Sequence, residues 1–100
     1  MLSNNLEQLR RARREGYAIP AINTQGGSYD IIMAICRAAE ALKSPVILAH
    51  DVSTGAYSGH DWFYQVAKWC AEKVSVPVSV HLDHGADFEI CMEALRLGFT

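Results

Sequence analysis

The sequence has no long apolar run, no closely spaced cysteine pair and no large excess of one charge. No apolar run approaches the roughly 20 residues that cross a bilayer, and the charged N-terminal stretch MLSNNLEQLRRARREG lacks the apolar centre of a secretory signal. Nine basic and eleven acidic side chains nearly balance, and the only basic cluster lies in that first stretch. We therefore predict a cytoplasmic protein that binds neither membrane nor nucleic acid.

The three cysteines do not indicate a disulfide framework or a metal knuckle. Cys36, Cys70 and Cys91 are widely spaced, and each lies inside an apolar helical pattern. Their number and spacing predict buried, reduced thiols. Half of the 100 residues are apolar, which is enough to form a hydrophobic core and argues against disorder.

The apolar periodicity predicts one helix followed by three strand-helix units. Helices are expected over residues 4–15, 28–43, 61–74 and 87–97, and buried strands over 17–23, 45–50 and 76–82. Alternating strands and helices favour a parallel sheet with right-handed crossovers. The pattern fits either a small open sheet or the first three βα units of a (β/α)8 TIM barrel, an α/β fold of about 250 residues. No linker divides residues 1–100, so we predict part of one domain.

Polar residues follow the third predicted strand, in VSVHLDHGADFE (residues 78–89). Because side chains alternate along a strand, His81 and Asp83 are expected on the face opposite the valines. In a barrel that face points inward, and its C-terminal end forms the mouth where barrel enzymes carry out their chemistry. His84 follows the strand beside Gly85, which is expected to turn the backbone so that the imidazole crosses the mouth.

This pattern has a functional and a structural interpretation. Imidazole is a good zinc ligand and a neighbouring carboxylate is placed for proton transfer, but a catalytic zinc needs three protein ligands and the motif supplies one. An Asp-His pair after a strand is more commonly a helix cap or a solvated loop contact.

Further polar positions also allow two interpretations each. His50 and Asp51 would lie either at the mouth or in solvent. Asn23 would either bind a ligand or cap a turn. Gly26-Gly27-Ser28 precedes a helix and could cradle an anion, but it lacks the spacing of the known phosphate-binding glycine motifs. Trp62 and Trp69 lie on a helical face next to the predicted core face, and they would either border the core or form a subunit contact.

Four segments in this order, YAIPAIN, SPVILA, VPVSVHLDHGADFE and LGFT, resemble the N-terminal part of the class II, zinc-dependent ketose-bisphosphate aldolases. The resemblance implies a (β/α)8 barrel. It also implies reversible cleavage of fructose-1,6- or tagatose-1,6-bisphosphate to dihydroxyacetone phosphate and an aldehyde, as in glycolysis and related carbohydrate metabolism. In that family zinc polarises the ketone and stabilises an enediolate.

The resemblance assigns roles by position. Asp83 matches the acid/base acting at the C4 hydroxyl, His84 matches a zinc ligand, and Asn23 matches a residue near the substrate. His81 matches a histidine that we expect to support Asp83. The remaining zinc ligands, a phosphate-binding loop and a monovalent-cation site are expected beyond residue 100. A homodimer or homotetramer is also implied.

The sequence departs from the family pattern at two positions. Asp51 stands where relatives usually have Ser or Thr near bound substrate, and Ile22 replaces the usual Phe. A carboxylate at that substrate-binding position would repel a phosphate, which leaves open an aldolase for a different phosphorylated or acidic ketose.

Two further hypotheses stay open at the level of the sequence. The first is an inactive fragment or a non-enzymatic relative of these aldolases. The second is a metal-independent barrel enzyme that uses Asp83 and His84 as an acid/base pair. Residues 1–100 alone are expected to be inactive, because one histidine cannot retain a catalytic zinc.

Overall fold

A computed structural model describes all residues, 1–100. Its three strands are parallel and adjacent in the order β1-β2-β3. The elements in chain order are α1 (Asn5–Glu15), β1 (Ala21–Asn23), α2 (Tyr29–Ala41), β2 (Val46–Asp51), α3 (Val52–Gly55), α4 (His60–Ala71), β3 (Val78–Asp83) and α5 (Phe88–Leu97). The predicted fold class, one helix and three βα units with a parallel sheet, is confirmed. Helix α3 was not predicted.

Short polar residues and glycines define the helix ends, as the sequence predicts. The Asn4 side chain accepts a hydrogen bond from the Leu6 N–H, and Asp87 accepts one from the Ile90 N–H. Gly16 and Gly98 end α1 and α5 with φ of 76° and 108°, a left-handed conformation that favours glycine. These caps satisfy backbone groups that a helix leaves unpaired.

Strand β1 is shorter than predicted, and the prediction that it is buried was wrong. Only Ala21–Asn23 pair as a strand, and all three residues are exposed. Pro20 has no N–H to donate, although its carbonyl accepts a bond from Ile47 at 3.0 Å, so regular pairing starts after it. Nothing pairs with the outer edge of β1, whereas the outer edge of β3 exchanges backbone hydrogen bonds with Met1, Ser3 and Thr100.

The core lies between one face of the sheet and helices α2 and α4. Val78, Val80 and Leu48 contribute from the strands, and Ile32 and Phe63 from the helices, all essentially inaccessible to solvent. The valine face predicted for the third strand is therefore confirmed. No helix is both long enough and apolar enough to cross a membrane.

The cysteines follow the prediction at two of three positions. All three are unpaired; Cys36 and Cys70 are buried, and burial raises the pKa of Cys36 to about 11. Cys91 is only partly buried. It lies on α5, which packs against fewer elements than α2 and α4 do, so its prediction as a buried thiol was wrong.

Two tryptophans on α4 border the core without being enclosed by it. Trp62 and Trp69 are each 55% exposed, and the Lys73 ammonium lies 4.0 Å from the centre of the Trp69 ring. Their half-buried state agrees with a place at the core margin. A subunit contact at this face stays a prediction.

Helix α1 covers the N-terminal end of the sheet, opposite the predicted mouth. The Ser79 hydroxyl donates to Asn5 Oδ1 from the sheet face that turns away from the core. The Met1 amino group donates to the carbonyls of Ala71, Val74 and Val76. These contacts leave the polar C-terminal end of β3 accessible.

Candidate active site

The C-terminal ends of β2 and β3 bring together three polar side chains. Asp51 and Asp83 are register partners in the parallel pair, so both point to the face opposite the core. His84 follows Asp83 directly, and one donor atom from each of these three residues lies within 4.8 Å of the other two. The nearest approach of the imidazole to Asp83 is 3.9 Å, from His84 Nε2 to Asp83 Oδ2.

The turn that aims His84 is made by His84 itself. Its φ is +57° and Gly85 does not adopt a positive φ, so the turn predicted beside Gly85 is made at His84. Left-handed backbone at a non-glycine residue costs on the order of 1 kcal/mol or more. Gly85 is needed for space instead, because a Cβ there would lie 2.8 Å from Cys91 Sγ. The His84 side chain is 78% exposed and free to rotate over the mouth.

Asp51 caps helix α3 as well as facing the mouth. Its Oδ1 accepts hydrogen bonds from the Ser53 N–H at 2.7 Å and the Thr54 N–H at 3.2 Å, and also from the Ser53 hydroxyl. These bonds, with the Ser53 hydroxyl first, hold the pKa of Asp51 below its usual value. The Asp51 carboxylate is therefore ionised at neutral pH. Aspartate is a favoured N-cap residue, so Asp51 at the start of DVST was a local signal for this helix start.

The three side chains fit a zinc ion by donor type. Zinc accepts imidazole nitrogen at about 2.0 Å and carboxylate oxygen at a similar distance, so tetrahedral donors lie about 3.3 Å apart. The present spread of up to 4.8 Å is wider than that spacing, so the side chains would have to move closer together to share one ion. Two of the three donors are carboxylates and one is an imidazole.

His81 and Asn23 lie one layer below this cluster. Both pair in register with Ala49, Asn23 from β1 and His81 from β3, so they share the inward face. Asn23 is exposed and His81 is partly buried. No side-chain hydrogen bond joins His81 to Asp83, and its supporting role stays a prediction.

The glycine loop after β1 has a structural explanation. Gln25, Gly26 and Gly27 have φ of 50°, 73° and 93°. A Cβ on Gly26 would overlap the Thr54 carbonyl oxygen, so the glycine lets this loop pack against α3. The Gly27 N–H already donates to the Thr24 carbonyl at 3.4 Å. Gly26 therefore lets the loop support the segment that Asp51 caps, and an anion at this loop stays a prediction.

His50 lies neither at the mouth nor in solvent, and both predicted positions were wrong. It is fully buried on the core face of β2, where its ring stacks on Phe63 at 4.0 Å. Its Nε2 is 2.8 Å from His60 Nδ1, and its own Nδ1 has no partner. A Cβ on Gly55 would overlap His50 Nε2, so α3 packs directly on this ring.

Because of His50, we expect the free energy of unfolding to fall in mild acid. Burial, reinforced by His60, lowers the pKa of His50 to about 4. The folded state then stays neutral while the unfolded chain takes up a proton below about pH 6.5, so stability is lost as the pH falls from 6.5 towards 4. Between pH 7 and pH 5 the loss is about 2 kcal/mol, measured by urea unfolding of the full-length protein. His50→Gln should remove most of this loss, and an unchanged pH dependence in that variant would contradict the assignment.

Comparisons with known proteins agree along the whole chain. Residues 3–100 match the sequence model of the family described as fructose-bisphosphate aldolase class-II. The chain is 46% identical over 100 residues to a fructose-bisphosphate aldolase of Thermus caldophilus, covering all of this chain and 32% of that protein. It is 37% identical over 103 residues to a fructose-bisphosphate aldolase of Mycoplasma pneumoniae, covering 100% of this chain and 35% of that protein.

The fold comparison gives the same result. The YdjI aldolase of Escherichia coli K12 superposes with a TM-score of 0.86 at 30% identity, over 99% of this chain and 38% of that one. The chain thus spans about a third of the length of the curated relatives that it matches.

Proposed function

Because this chain belongs to the class II fructose-bisphosphate aldolase family, we propose that the whole protein is a zinc-dependent carbon-carbon lyase. It reversibly cleaves a ketose bisphosphate to dihydroxyacetone phosphate and an aldehyde. Residues 1–100 are then the N-terminal part of a single (β/α)8 barrel domain. The observation that carries this proposal is the position of Asp83 and His84 together at the C-terminal end of β3.

His84 is proposed as one zinc ligand, with the others and a monovalent-cation site beyond residue 100. A zinc ion held there would supply positive charge that polarises the substrate ketone and stabilises the negative charge left after bond cleavage. The exposed imidazole and the two nearby carboxylates support this assignment by donor type and distance.

Asp83 is proposed as the acid/base. In cleavage its carboxylate takes the proton of the C4 hydroxyl while the C3–C4 bond breaks, and the bonding electron pair passes towards the carbonyl oxygen. The C4 oxygen becomes the aldehyde, and in condensation Asp83 returns the proton to it. Its half-buried place at the strand end, open to the mouth, supports contact with a substrate hydroxyl.

Asn23 and Asp51 are proposed to contact the substrate. The Asn23 amide offers hydrogen bonds to a sugar hydroxyl from the end of β1. The ionised Asp51 carboxylate accepts hydrogen bonds from hydroxyl groups and repels phosphate. This charge favours a second candidate function, an aldolase whose ketose places no phosphate near Asp51.

Replacement of Asp51 tests that discrimination. A phosphate dianion about 8 Å from a carboxylate is repelled by about 1 kcal/mol even at the dielectric constant of water. Asp51→Ser should therefore raise kcat/KM for fructose-1,6-bisphosphate about five- to tenfold, since serine also caps a helix and keeps α3 in place. Ser53→Ala keeps the charge and serves as the matched control. An equal kcat/KM in Asp51→Ser and the parent protein would show that the carboxylate does not select against phosphate.

The function itself is tested by following dihydroxyacetone phosphate release from two substrates. Full-length protein is assayed with fructose-1,6-bisphosphate and with tagatose-1,6-bisphosphate. Cleavage of either supports the proposal and ranks the two sugars. Failure of both, in protein that retains zinc, would favour the second candidate.

A further inference from the structure

A polar cavity lies at the end of the sheet opposite the candidate active site. It has a volume of about 330 Å³ and opens between helix α1 and the segments that precede β2 and β3. We call it the basal pocket. Its polar side chains are those of Gln8, Arg11, Tyr17, Lys43 and Ser44. Nothing in the proposed aldol chemistry uses it.

Gln8 is the most informative residue of the basal pocket. It is only 5% exposed, yet neither its amide nitrogen nor its amide oxygen has a hydrogen-bond partner. A buried polar group without a partner costs about 1–3 kcal/mol, and such groups in folded proteins are normally paired. The side chain lines the pocket and carries two donors and one acceptor, but both amide atoms are closed to solvent, so a ligand would reach them only after the side chain turns towards the pocket. A bound polar molecule would satisfy both ends of this amide.

The charge of the basal pocket is positive. Arg11 uses its Nε–H to bond Glu15 at 3.0 Å, which leaves its two terminal amino groups for another acceptor. Lys43 forms no ion pair, and its φ of 51° holds the chain in a left-handed turn directly after α2. Two cations and one carboxylate leave a net charge of about +1. Tyr17 adds a hydroxyl that donates and accepts.

We propose that the basal pocket binds a small organic phosphate. Arginine and lysine are the side chains that recognise phosphate oxygens, and the Gln8 amide is suited to hydroxyl groups next to the phosphate. A volume near 330 Å³ is at the lower end of small-molecule sites and suits a ligand of a few carbon atoms. The site is separate from Asp83 and His84, which lie at the opposite ends of the strands.

The test uses sn-glycerol 3-phosphate and inorganic phosphate as probes, with binding to the full-length protein measured by titration calorimetry. We expect a binding event that the Arg11→Gln, Lys43→Gln double variant weakens at least tenfold. Arg10→Gln, an exposed arginine of α1 outside the pocket, is the matched control and should change the affinity less than twofold. Binding that persists unchanged in the double variant would place the phosphate elsewhere and overturn the proposal.

Gln8→Leu tests the role of the buried amide. We expect it to weaken sn-glycerol 3-phosphate binding severalfold and to leave inorganic phosphate binding nearly unchanged, because only the ester carries the alcohol hydroxyl groups that the Gln8 amide is proposed to bind. Folding is controlled by urea unfolding of the same variant. No binding of either probe to the parent protein would mean that water alone pairs with Gln8, and would also overturn the proposal. The proposed active site also binds phosphate esters, so the binding event that counts is the one that Arg11→Gln, Lys43→Gln weakens and that His84→Ala retains. Aldol cleavage plays no part in either titration, so the proposed function is tested separately.

Discussion

Asp83→Asn in the full-length protein is expected to lower kcat for aldol cleavage by about 10³-fold. A positioned acid/base contributes about 10²–10⁴-fold, and asparagine keeps the size of the side chain but cannot take the C4 hydroxyl proton. KM should change little, since substrate binding does not require this proton transfer. The measurement is steady-state cleavage of the better bisphosphate substrate, with zinc content determined on the same samples.

The zinc content separates two roles that the geometry allows for Asp83. Its carboxylate lies close enough to His84 to bind a shared metal ion. If Asp83 only transfers the C4 hydroxyl proton and does not bind zinc, Asp83→Asn keeps its zinc and loses turnover. Loss of zinc in this variant would make Asp83 a ligand, and turnover close to that of the parent protein would contradict any catalytic role.

His84→Ala is expected to weaken zinc binding by about 10²–10³-fold and to abolish cleavage at ordinary zinc concentrations. A structural zinc site contributes about 10–16 kcal/mol over its ligands, so each ligand contributes several kcal/mol. Competition with a chromophoric chelator measures this affinity. His84 is largely exposed, so its removal should not affect folding, and it should relieve the left-handed backbone strain only slightly.

His81→Gln is the matched control for that experiment. His81 lies two residues before Asp83 on the same face of β3, one layer below the cluster. The variant should keep zinc affinity within a few-fold of the parent protein. Equal losses of zinc in both variants would mean that His81 is also a ligand, and retention of zinc by His84→Ala would contradict the assignment of His84.

The third strand shows why part of the site was predictable from the sequence. Along residues 78–83 apolar side chains alternate with polar ones, and because successive side chains of a strand point to opposite faces, the two kinds are separated. Val78 and Val80 are buried in the core, while Asp83 reaches the mouth. Because only one face of this strand is apolar, the local alternation alone was enough to predict which side chains face the core and which face the mouth.

The second strand shows where the same reasoning fails. Val46 to Ala49 are all apolar, so alternation does not reveal which face meets the helices. The register fixes it: His50 pairs with Leu82 and Asp51 with Asp83, so the histidine faces the core and the aspartate the mouth. That register is set by packing between strands far apart in sequence. The burial of His50 therefore required the structure, whereas the Asp51 cap was visible as a local signal.

The most direct test of the account is zinc removal and restoration in the full-length protein. Cleavage of fructose-1,6-bisphosphate and tagatose-1,6-bisphosphate is measured in untreated, chelator-treated and zinc-restored samples. We predict that chelation abolishes cleavage of the preferred sugar and that about one zinc per chain restores it. Cleavage that continues at the same rate without zinc would contradict the metal-dependent aldolase and favour a barrel enzyme that uses Asp83 and His84 as a simple acid/base pair.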